Sequence, residues 1–249
     1  MLETRKKRLQ QGSRNELTSK IEELEAINQM IAHNLRGAAA NIKMLAEVLI
    51  NKNIPDNCQE NGGDNIFTIS EAIGHIYECS KSMLETLNVM MAIAEIQLDE
   101  NVKYEECNIE DIVCHIIEQM NGLIQQKSAV IDIDLTITHI NYPSQYMESI
   151  LYNIIRNAIK YSKETVPLKV LISTYDKDGK VVLSVKDNGV GLDLKLYGRR
   201  IFKLYQVFHS GYESKGVGLY IVKKQIESLG GRINVKSTVN EGCEFIVVF

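Results

Sequence analysis

The chain has 249 residues, of which 45% are hydrophobic and 24% charged, as in a globular protein with one large domain or two small ones. Its 28 Lys and Arg against 32 Asp and Glu give a formal charge of −4, which argues against a nucleic-acid-binding protein because such proteins carry a basic surface. No apolar run approaches the roughly 18 residues that span a bilayer, and the N-terminus is too charged for a secretory signal. The five cysteines form no CxxC pair, so we expect reduced thiols in a cytoplasmic protein.

In the first hundred residues, apolar side chains recur at alternating steps of four and three. This heptad spacing is typical of helices that pack in a coiled coil or a bundle. The spacing divides into two series, one on each side of residues 51–65. The first consists of Leu17, Ile21, Leu24, Asn28, Ile31, Leu35, Ala38, Ile42, Leu45 and Leu49; the second consists of Ile66, Ile69, Ile73, Ile76, Ser80, Met83, Leu87, Met90, Ala94 and Gln97.

The polar stretch between the two series contains Pro55 and Gly62, which break helices. The sequence therefore predicts a hairpin of two helices, each about 30 residues and roughly 45 Å long. One hairpin is too small to bury so long an apolar stripe, so we expect two copies to form a four-helix bundle, that is, a homodimer. His33 lies between Ile31 and Leu35 and is expected to project away from the stripe, into solvent.

Beyond residue 100 the pattern changes to short apolar runs with alternation, which are typical of strands. We predict strands at 130–137, 168–175, 180–187, 232–238 and 243–249, with helices at 109–128, 144–162 and 216–229. The tetrapeptide DKDG at 176–179 has the composition of a hairpin turn. The predicted fold of this half is an α+β sandwich, in which an antiparallel or mixed sheet carries helices on one face.

A polar face is expected on the predicted helix at 144–162. Asn153, Asn157, Lys160 and Tyr161 are spaced so that much of this set lies on one side of the helix. Such a face offers amide oxygens to Mg²⁺, a cation to phosphate and a phenol ring to a base. A solvated helix face has the same pattern, so this cluster alone leaves both interpretations open.

Two motifs with paired glycines follow. Asp187 begins the sequence DNGVG, in which Gly189 and Gly191 let the backbone approach a ligand and the carboxylate can accept a hydrogen bond from an exocyclic amine. Gly216 and Gly218 begin a predicted helix, where exposed N–H groups and the helix dipole favour phosphate. Either motif by itself is also compatible with a tight turn.

The order of these motifs resembles that of the N, G1, F and G2 boxes of the GHKL ATP-binding fold. Upstream, the segment IAHNLRGAAANIKML resembles the H box of sensor histidine kinases, in the variant that begins HNLR. The resemblance covers nearly the whole chain, from about Leu17 to Phe249. It implies an N-terminal linker at 1–15, a histidine phosphotransfer hairpin at 16–99 that forms a dimeric four-helix bundle, and a GHKL (Bergerat) α/β sandwich at 100–249.

The same resemblance implies a reaction and its cofactors. His33 would attack the γ-phosphate of ATP, with Mg²⁺ bound, and the phosphoryl group would pass to an aspartate of a response regulator. Asn157 is implied to be catalytic together with His33. The implied binding residues are Asn153 and Asn157 for Mg²⁺, Lys160, Lys215, Gly216 and Gly218 for the phosphates, and Tyr161, Asp187, Gly189 and Gly191 for adenine.

The sequence departs from the family pattern near these motifs. Asn34 stands where the family places an acidic residue that can accept a proton from the imidazole, and an amide is not a base. Gly37 stands where the family often has Thr or Asn, so we expect weak phosphatase activity. Val207 replaces a phosphate-contacting Arg, and Lys215 would supply the missing cation. The alternative function is a catalytically inactive dimeric scaffold or a histidine phosphotransfer protein with a degenerate ATP site. Since family members usually carry a sensor or membrane segment upstream, the resemblance also allows a longer, membrane-tethered parent protein.

Overall fold

The computed structural model describes Thr18, Glu25, Asn28, Gln29 and residues 31–50, 69–98, 102–198, 200–204, 206 and 216–249. The chain divides into two compact units, Met1–Ala92, here called the helical unit, and Ile93–Phe249, here called the sheet unit. No helix within the described ranges is long and apolar enough to cross a membrane. The domain limits expected from the sequence, 16–99 and 100–249, stay a prediction.

Helix α1 covers residues 31–50, and its less exposed side chains follow the heptad spacing. Ile31 is buried, whereas His33 is exposed on another side of the helix. The stripe predicted for this helix is therefore confirmed over the described residues. Its half-buried members are Leu35, Ala38, Ile42, Leu45 and Leu49.

Helix α2, Ile69–Leu98, follows the predicted stripe over part of its length. Ala72 and Thr86 are buried, and the Thr86 hydroxyl donates to the backbone oxygen of Ser82 at 2.9 Å. The predicted positions Ile69 and Ile73 are exposed in this single chain, and their burial in a bundle of two copies stays a prediction. The half-buried predicted positions are Ile76, Ser80 and Met83.

The sheet unit contains two sheets. Strands β1 (Glu105–Asn108) and β3 (His139–Tyr142) pair antiparallel. The second sheet has five strands in the order β2-β4-β5-β7-β6, with β2 parallel to β4 and all other pairs antiparallel. Its strands are β2 Val130–Leu135, β4 Lys169–Lys177, β5 Lys180–Asp187, β6 Arg232–Thr238 and β7 Gly242–Val248.

The described residues of the sheet unit also include five helices that follow β1 or later strands, and the mixed sheet confirms the predicted fold class. The helix expected at 109–128 is divided at Met120, and the short strands β1 and β3 were not predicted. The hairpin turn predicted at DKDG is present as a two-residue loop between β4 and β5, in which Asp178 and Gly179 both adopt positive φ, 57° and 75°. The helices are α3 Ile109–Gln119, α4 Asn121–Gln126, α5 Ser144–Lys160, α6 Leu194–Tyr197 and α7 Gly218–Ser228.

The core of the sheet unit contains residues of the five-stranded sheet and of helices α3, α5 and α7. Helix α5 contributes Ile150, Leu151, Ile154 and Ile155, which lie on one helical face and are fully or almost fully buried. Burying one such side chain stabilises the fold by roughly 1.5–3 kcal/mol. The opposite face of α5, which carries the polar residues, is therefore held in place by the core.

Candidate functional site

One end of the five-stranded sheet brings several chain segments together. Strand β5 ends there, and the N–H group of Val190 donates to the backbone oxygen of Tyr161, just after α5, at 2.9 Å. The backbone oxygen of Val190 in turn accepts from Asn240, in the turn between β6 and β7, at 2.7 Å. These backbone hydrogen bonds connect the DNGVG segment to the C-terminal end of α5 and to the β6–β7 turn.

Two glycines of this segment lie where no larger side chain fits. A Cβ atom at Gly191 would overlap the backbone oxygen of Thr238, and the residue has φ of 65°, which L-amino acids with side chains rarely adopt. A Cβ atom at Gly189 would overlap the backbone oxygen of Tyr161 and crowd the Asp187 carboxylate. The DNGVG segment therefore has glycine where close backbone packing requires it.

Asp187 is a buried carboxylate with one oxygen bonded and the other open. Its Oδ1 accepts the N–H groups of Gly189 at 2.8 Å and of Cys243 at 3.2 Å, and the residue is only 8% exposed. Burial raises the pKa of Asp187, and the two N–H donors oppose that rise. Among the described residues no donor reaches Oδ2, so this oxygen can accept a hydrogen bond from a ligand.

The polar face of α5 meets the N-terminus of α7 at this end of the sheet. The side chain of Asn153 donates through Nδ2 to the backbone oxygen of Ser149 at 2.8 Å. Its Oδ1 lies against Gly218, where a Cβ atom would overlap it. No described side chain caps α7, so the N–H groups of Gly218 and Leu219 can donate to an anion.

Three further predicted residues lie near the C-terminal end of α5. The backbone oxygen of Asn157 accepts the N–H group of Tyr161 at 2.9 Å, which closes the last turn of the helix. The Nζ atom of Lys160 lies 5.6 Å from the centroid of the Tyr161 ring. Asn157, Lys160 and Tyr161 are each half-buried and follow Asn153 along the same helix.

The segment before α7 is described only at its two ends. Gly216 has φ of 65° and lies so close to Gln206 that a Cβ atom would overlap the Gln206 backbone. The Gln206 side chain accepts a hydrogen bond from Arg200 Nε at 2.8 Å. The predicted phosphate ligand Lys215 and the position of the missing Arg, Val207, lie outside the described residues.

The structure thus brings Asn153, Tyr161, Asp187, Gly189, Gly191 and Gly218 together in the sheet unit. The predicted phospho-acceptor His33 belongs to the helical unit, where it is exposed on α1.

Sequence reasoning missed a residue of this site, Cys243. Its strand was predicted, but the side chain is placed beside Asp187 by the pairing of β7 with β5. The alternation of the sequence CEFIVVF indicates which residues of β7 share a face. It does not indicate which strand lies next to β7, so the local pattern carried no signal for this contact.

Comparison with known proteins identifies the class of this fold and site. Residues 144–249 match the family described as Histidine kinase-, DNA gyrase B-, and HSP90-like ATPase. The structural and sequence features together therefore define a GHKL-type ATP-binding domain.

The similarity to known proteins extends beyond this domain. The chain is 27% identical over 152 residues to Sensor protein RprX of Bacteroides fragilis, an alignment that covers 59% of this chain and 29% of RprX. The histidine kinase ThkA, solved in complex with the response regulator protein TrrA, is 18% identical with a TM-score of 0.64, over 92% of this chain and 63% of that one. Full-length ShkA in complex with AMPPNP is 20% identical with a TM-score of 0.61, over 90% and 45% of the two chains. The chain is thus similar to sensor histidine kinases, and it spans under a third of the length of RprX.

Proposed function

We propose that this chain is a histidine kinase core that transfers the γ-phosphoryl group of ATP to His33 and then to an aspartate of a response regulator. The observation that carries the proposal is the convergence of Asp187, the DNGVG glycines, Asn153 and the uncapped start of α7 at one end of the sheet. One region of this site suits a base, and another suits phosphates. ShkA, which has the same fold, is known with an ATP analogue bound.

The base would bind next to Asp187. The open Oδ2 of this buried carboxylate would accept a hydrogen bond from the exocyclic amine of adenine, which a guanine base lacks at that position. Tyr161, whose backbone is bonded to the DNGVG segment, would place its ring against the base. Gly189 and Gly191 would shape the base site by allowing the DNGVG backbone to pack against the backbone of Tyr161 and Thr238.

The phosphates would bind at the start of α7. There the N–H groups of Gly218 and Leu219 would face an anion, and the helix dipole would add a favourable field. Lys160 and Lys215 would contribute positive charge. Gly216 would allow the chain to pass close to the phosphates.

Asn153 and Asn157 would hold Mg²⁺ between α5 and the phosphates. Because Asn153 uses Nδ2 to bond Ser149, its Oδ1 is the atom left for a cation, and amide oxygens suit Mg²⁺. The described residues contain no group of three or more His, Cys, Asp or Glu side chains that could hold a metal ion. The ion would therefore depend on the amide oxygens, the phosphates and water, and it would neutralise phosphate charge.

The helical unit would supply the phospho-acceptor. A nitrogen of His33 forms a bond to the γ-phosphorus while the bond to the bridging oxygen breaks, and ADP leaves. The imidazole proton passes to water, since Asn34 is an amide and cannot act as a base. ThkA was solved in complex with a response regulator, which supports the proposed transfer to an aspartate of such a partner.

The helical unit would also form the homodimer. Helix α2 exposes a second apolar stripe at heptad spacing, and Tyr77, Leu84 and Met91 are each at least 60% exposed. A second copy of the hairpin would cover these side chains in a four-helix bundle. The proposed domains are the linker at 1–15, this hairpin at 16–99 and the ATP-binding domain at 100–249.

Incubation with γ-labelled ATP and Mg²⁺ tests this function. We expect acid-labile label on the parent chain, none on His33→Gln, and undiminished label on His75→Gln, a matched control that replaces another exposed histidine. We expect Asn157→Ala to lose the label as well, because Mg²⁺ would lose a ligand. ATP binding without label would mean that the core is held off or lacks a base, since Asn34 beside His33 is an amide. Absence of both label and ATP binding would favour the inactive scaffold or phosphotransfer protein with a degenerate ATP site.

A further inference from the structure

The five-stranded sheet has one face in the core of the sheet unit and one face outside the core cluster. Ile172, Leu183 and Val247 point into the core. Because successive side chains of a strand point to opposite sides, the residues next to them in sequence point away from it. We call this second side of the sheet the outer face.

The middle of the outer face is apolar. The strand registers place Tyr175, Val182 and Val248 in one row across β4, β5 and β7. Val182 is buried within this row, whereas Tyr175 and Leu171, which lie on the same side of β4, are 36% and 40% exposed. The outer face therefore offers apolar surface to a partner.

The two edges of the outer face carry opposite charges. Edge strand β2 places Asp132 and Asp134 there, and edge strand β6 places Arg232 and Lys236 there, all four exposed. Lys236 forms an ion pair with Glu244 of β7 at 3.2 Å, yet its side chain remains 71% exposed. Among the described residues no opposite charge pairs with Asp132, Asp134 or Arg232. Each edge therefore has charge available to a partner of the opposite sign.

The order of these charges makes the outer face complementary to itself. A two-fold axis that runs along the central strand β5, midway between two stacked sheets, brings β2 of each copy over β6 of the other. One row of the register consists of Asp132, Leu171, Lys186, Glu244 and Lys236. The rotation therefore places Asp132 over Lys236 of the second copy, while Lys186 lies near the axis with Glu244 of each copy beside it. An axis across the strands would instead place β2 over β2 and oppose like charges, so the charges favour the axis along β5.

We propose that the outer face binds the outer face of a second copy of this chain, with the acidic edge of each sheet over the basic edge of the other. Sheets that pack face to face lie about 10 Å apart with their strands within about 30° of each other, so the apolar rows would meet between the charged edges. This contact is separate from the proposed contact of the hairpin through α2. Two different two-fold contacts on one chain would link hairpin dimers into larger assemblies.

Sedimentation of the full chain tests this contact after Leu84→Glu with Met91→Glu has weakened the hairpin contact. We expect this background variant to be monomeric at low concentration and to form dimers as the concentration rises toward about 1 mM. The dimers should dissociate as the salt concentration rises from about 0.1 M to about 1 M, because salt screens the charges at the edges. A background variant that stays monomeric at every concentration would overturn the proposal.

Charge reversal at either edge distinguishes this arrangement from any other. In the background variant, Asp132→Lys with Asp134→Lys makes both edges basic, and Arg232→Glu with Lys236→Glu makes both edges acidic. We expect either change to raise the dimer Kd at least about tenfold. An equimolar mixture of the two variants should restore association to within about threefold of the background, because each reversed edge then meets its opposite. Such restoration also requires that both variants are folded.

A matched control reverses two exposed acidic residues outside the five-stranded sheet. Glu106→Lys with Glu118→Lys in the same background should leave the dimer Kd unchanged. Reversed variants that dimerise as strongly as the background, or a mixture that stays monomeric, would overturn the proposal. None of these outcomes affects the kinase proposal, which the acid-labile label on His33 tests.

Discussion

The two units of this chain differ in how completely they bury their apolar side chains. In the sheet unit Ile109, Ile150, Ile155 and Ile172 are all fully buried by residues of the same chain. In the helical unit Tyr77 is 66% exposed, and several large apolar side chains of α2 share its stripe. The sheet unit can therefore form its site from one chain, whereas the described residues of the helical unit leave this stripe of α2 uncovered. The comparison predicts that the proposed nucleotide binding and the proposed dimerisation are separable.

Replacing a glycine by alanine should destabilise the sheet unit more than the helical unit. Gly191→Ala places a Cβ atom against the backbone oxygen of Thr238 at a positive φ. We expect the free energy of unfolding of the sheet unit to fall by about 3 kcal/mol or more, with loss of ATP binding. Urea denaturation measures the change. A matched variant is Gly122→Ala, at a described position with open space around it, which should leave ATP binding unchanged.

The helical unit should lose its dimer without effect on the nucleotide site. Leu84→Glu together with Met91→Glu places two carboxylates on the exposed stripe of α2. We expect the dimer Kd to rise about 100-fold, roughly 3 kcal/mol, because the charges must be desolvated at the interface. Sedimentation measures the dimer, and ADP titration measures the site. If the monomeric variant also lost ADP affinity, the two properties would not be separable.

The substitution Asp187→Asn should weaken ATP binding but stabilise the fold. For Asp187→Asn we expect ATP affinity to fall roughly 10- to 100-fold, as for a hydrogen bond to a charged group. Because burial raises the pKa of Asp187, ATP affinity of the parent should fall as the pH decreases through that raised pKa. Calorimetric titration over a pH series measures this dependence, which should be absent from Asp187→Asn.

The stability of the protein without nucleotide should depend on pH in the opposite direction from its ATP affinity. A carboxyl group whose pKa is raised on folding adds most to stability below its unfolded pKa, and that contribution is lost as the pH rises through the folded value. We therefore expect Asp187→Asn to unfold at a higher temperature than the parent near neutral pH. A lower unfolding temperature would mean that the two N–H donors outweigh the desolvation of the charge.

The smallest expected effect is again in the helical unit. Gly37 lies in α1 with open space around it, so Gly37→Ala should raise the free energy of unfolding by about 0.5–1 kcal/mol through helix propensity. Circular dichroism at 222 nm during thermal unfolding measures the gain. A loss of stability instead would indicate that residue 37 contacts the second copy of the hairpin, and it would refine the proposed dimer interface.

Much of the fold was predictable because its signals are local. Heptad spacing indicated the stripe of α1, alternation indicated the five main strands, and the DKDG turn indicated the β4–β5 hairpin. The short strands β1 and β3 were missed because four residues are too few to show alternation, and their pairing joins residues more than 30 positions apart. The break at Met120 was missed because no proline marks it.

The candidate site was predictable in its members and not in its arrangement. Asn153, Asp187 and Gly218 stood out because each belongs to a short motif whose residue types suit a nucleotide. The sequence by itself thus determined which residues have side chains that can bind a nucleotide, since residue type and short-range spacing can be read directly from the chain. Only the tertiary structure decided that Cys243 stands opposite Asp187 and that α2 buries Ala72 rather than Ile73. Strand order and helix packing depend on contacts between distant segments, and the free energy of burying whole surfaces selects among them.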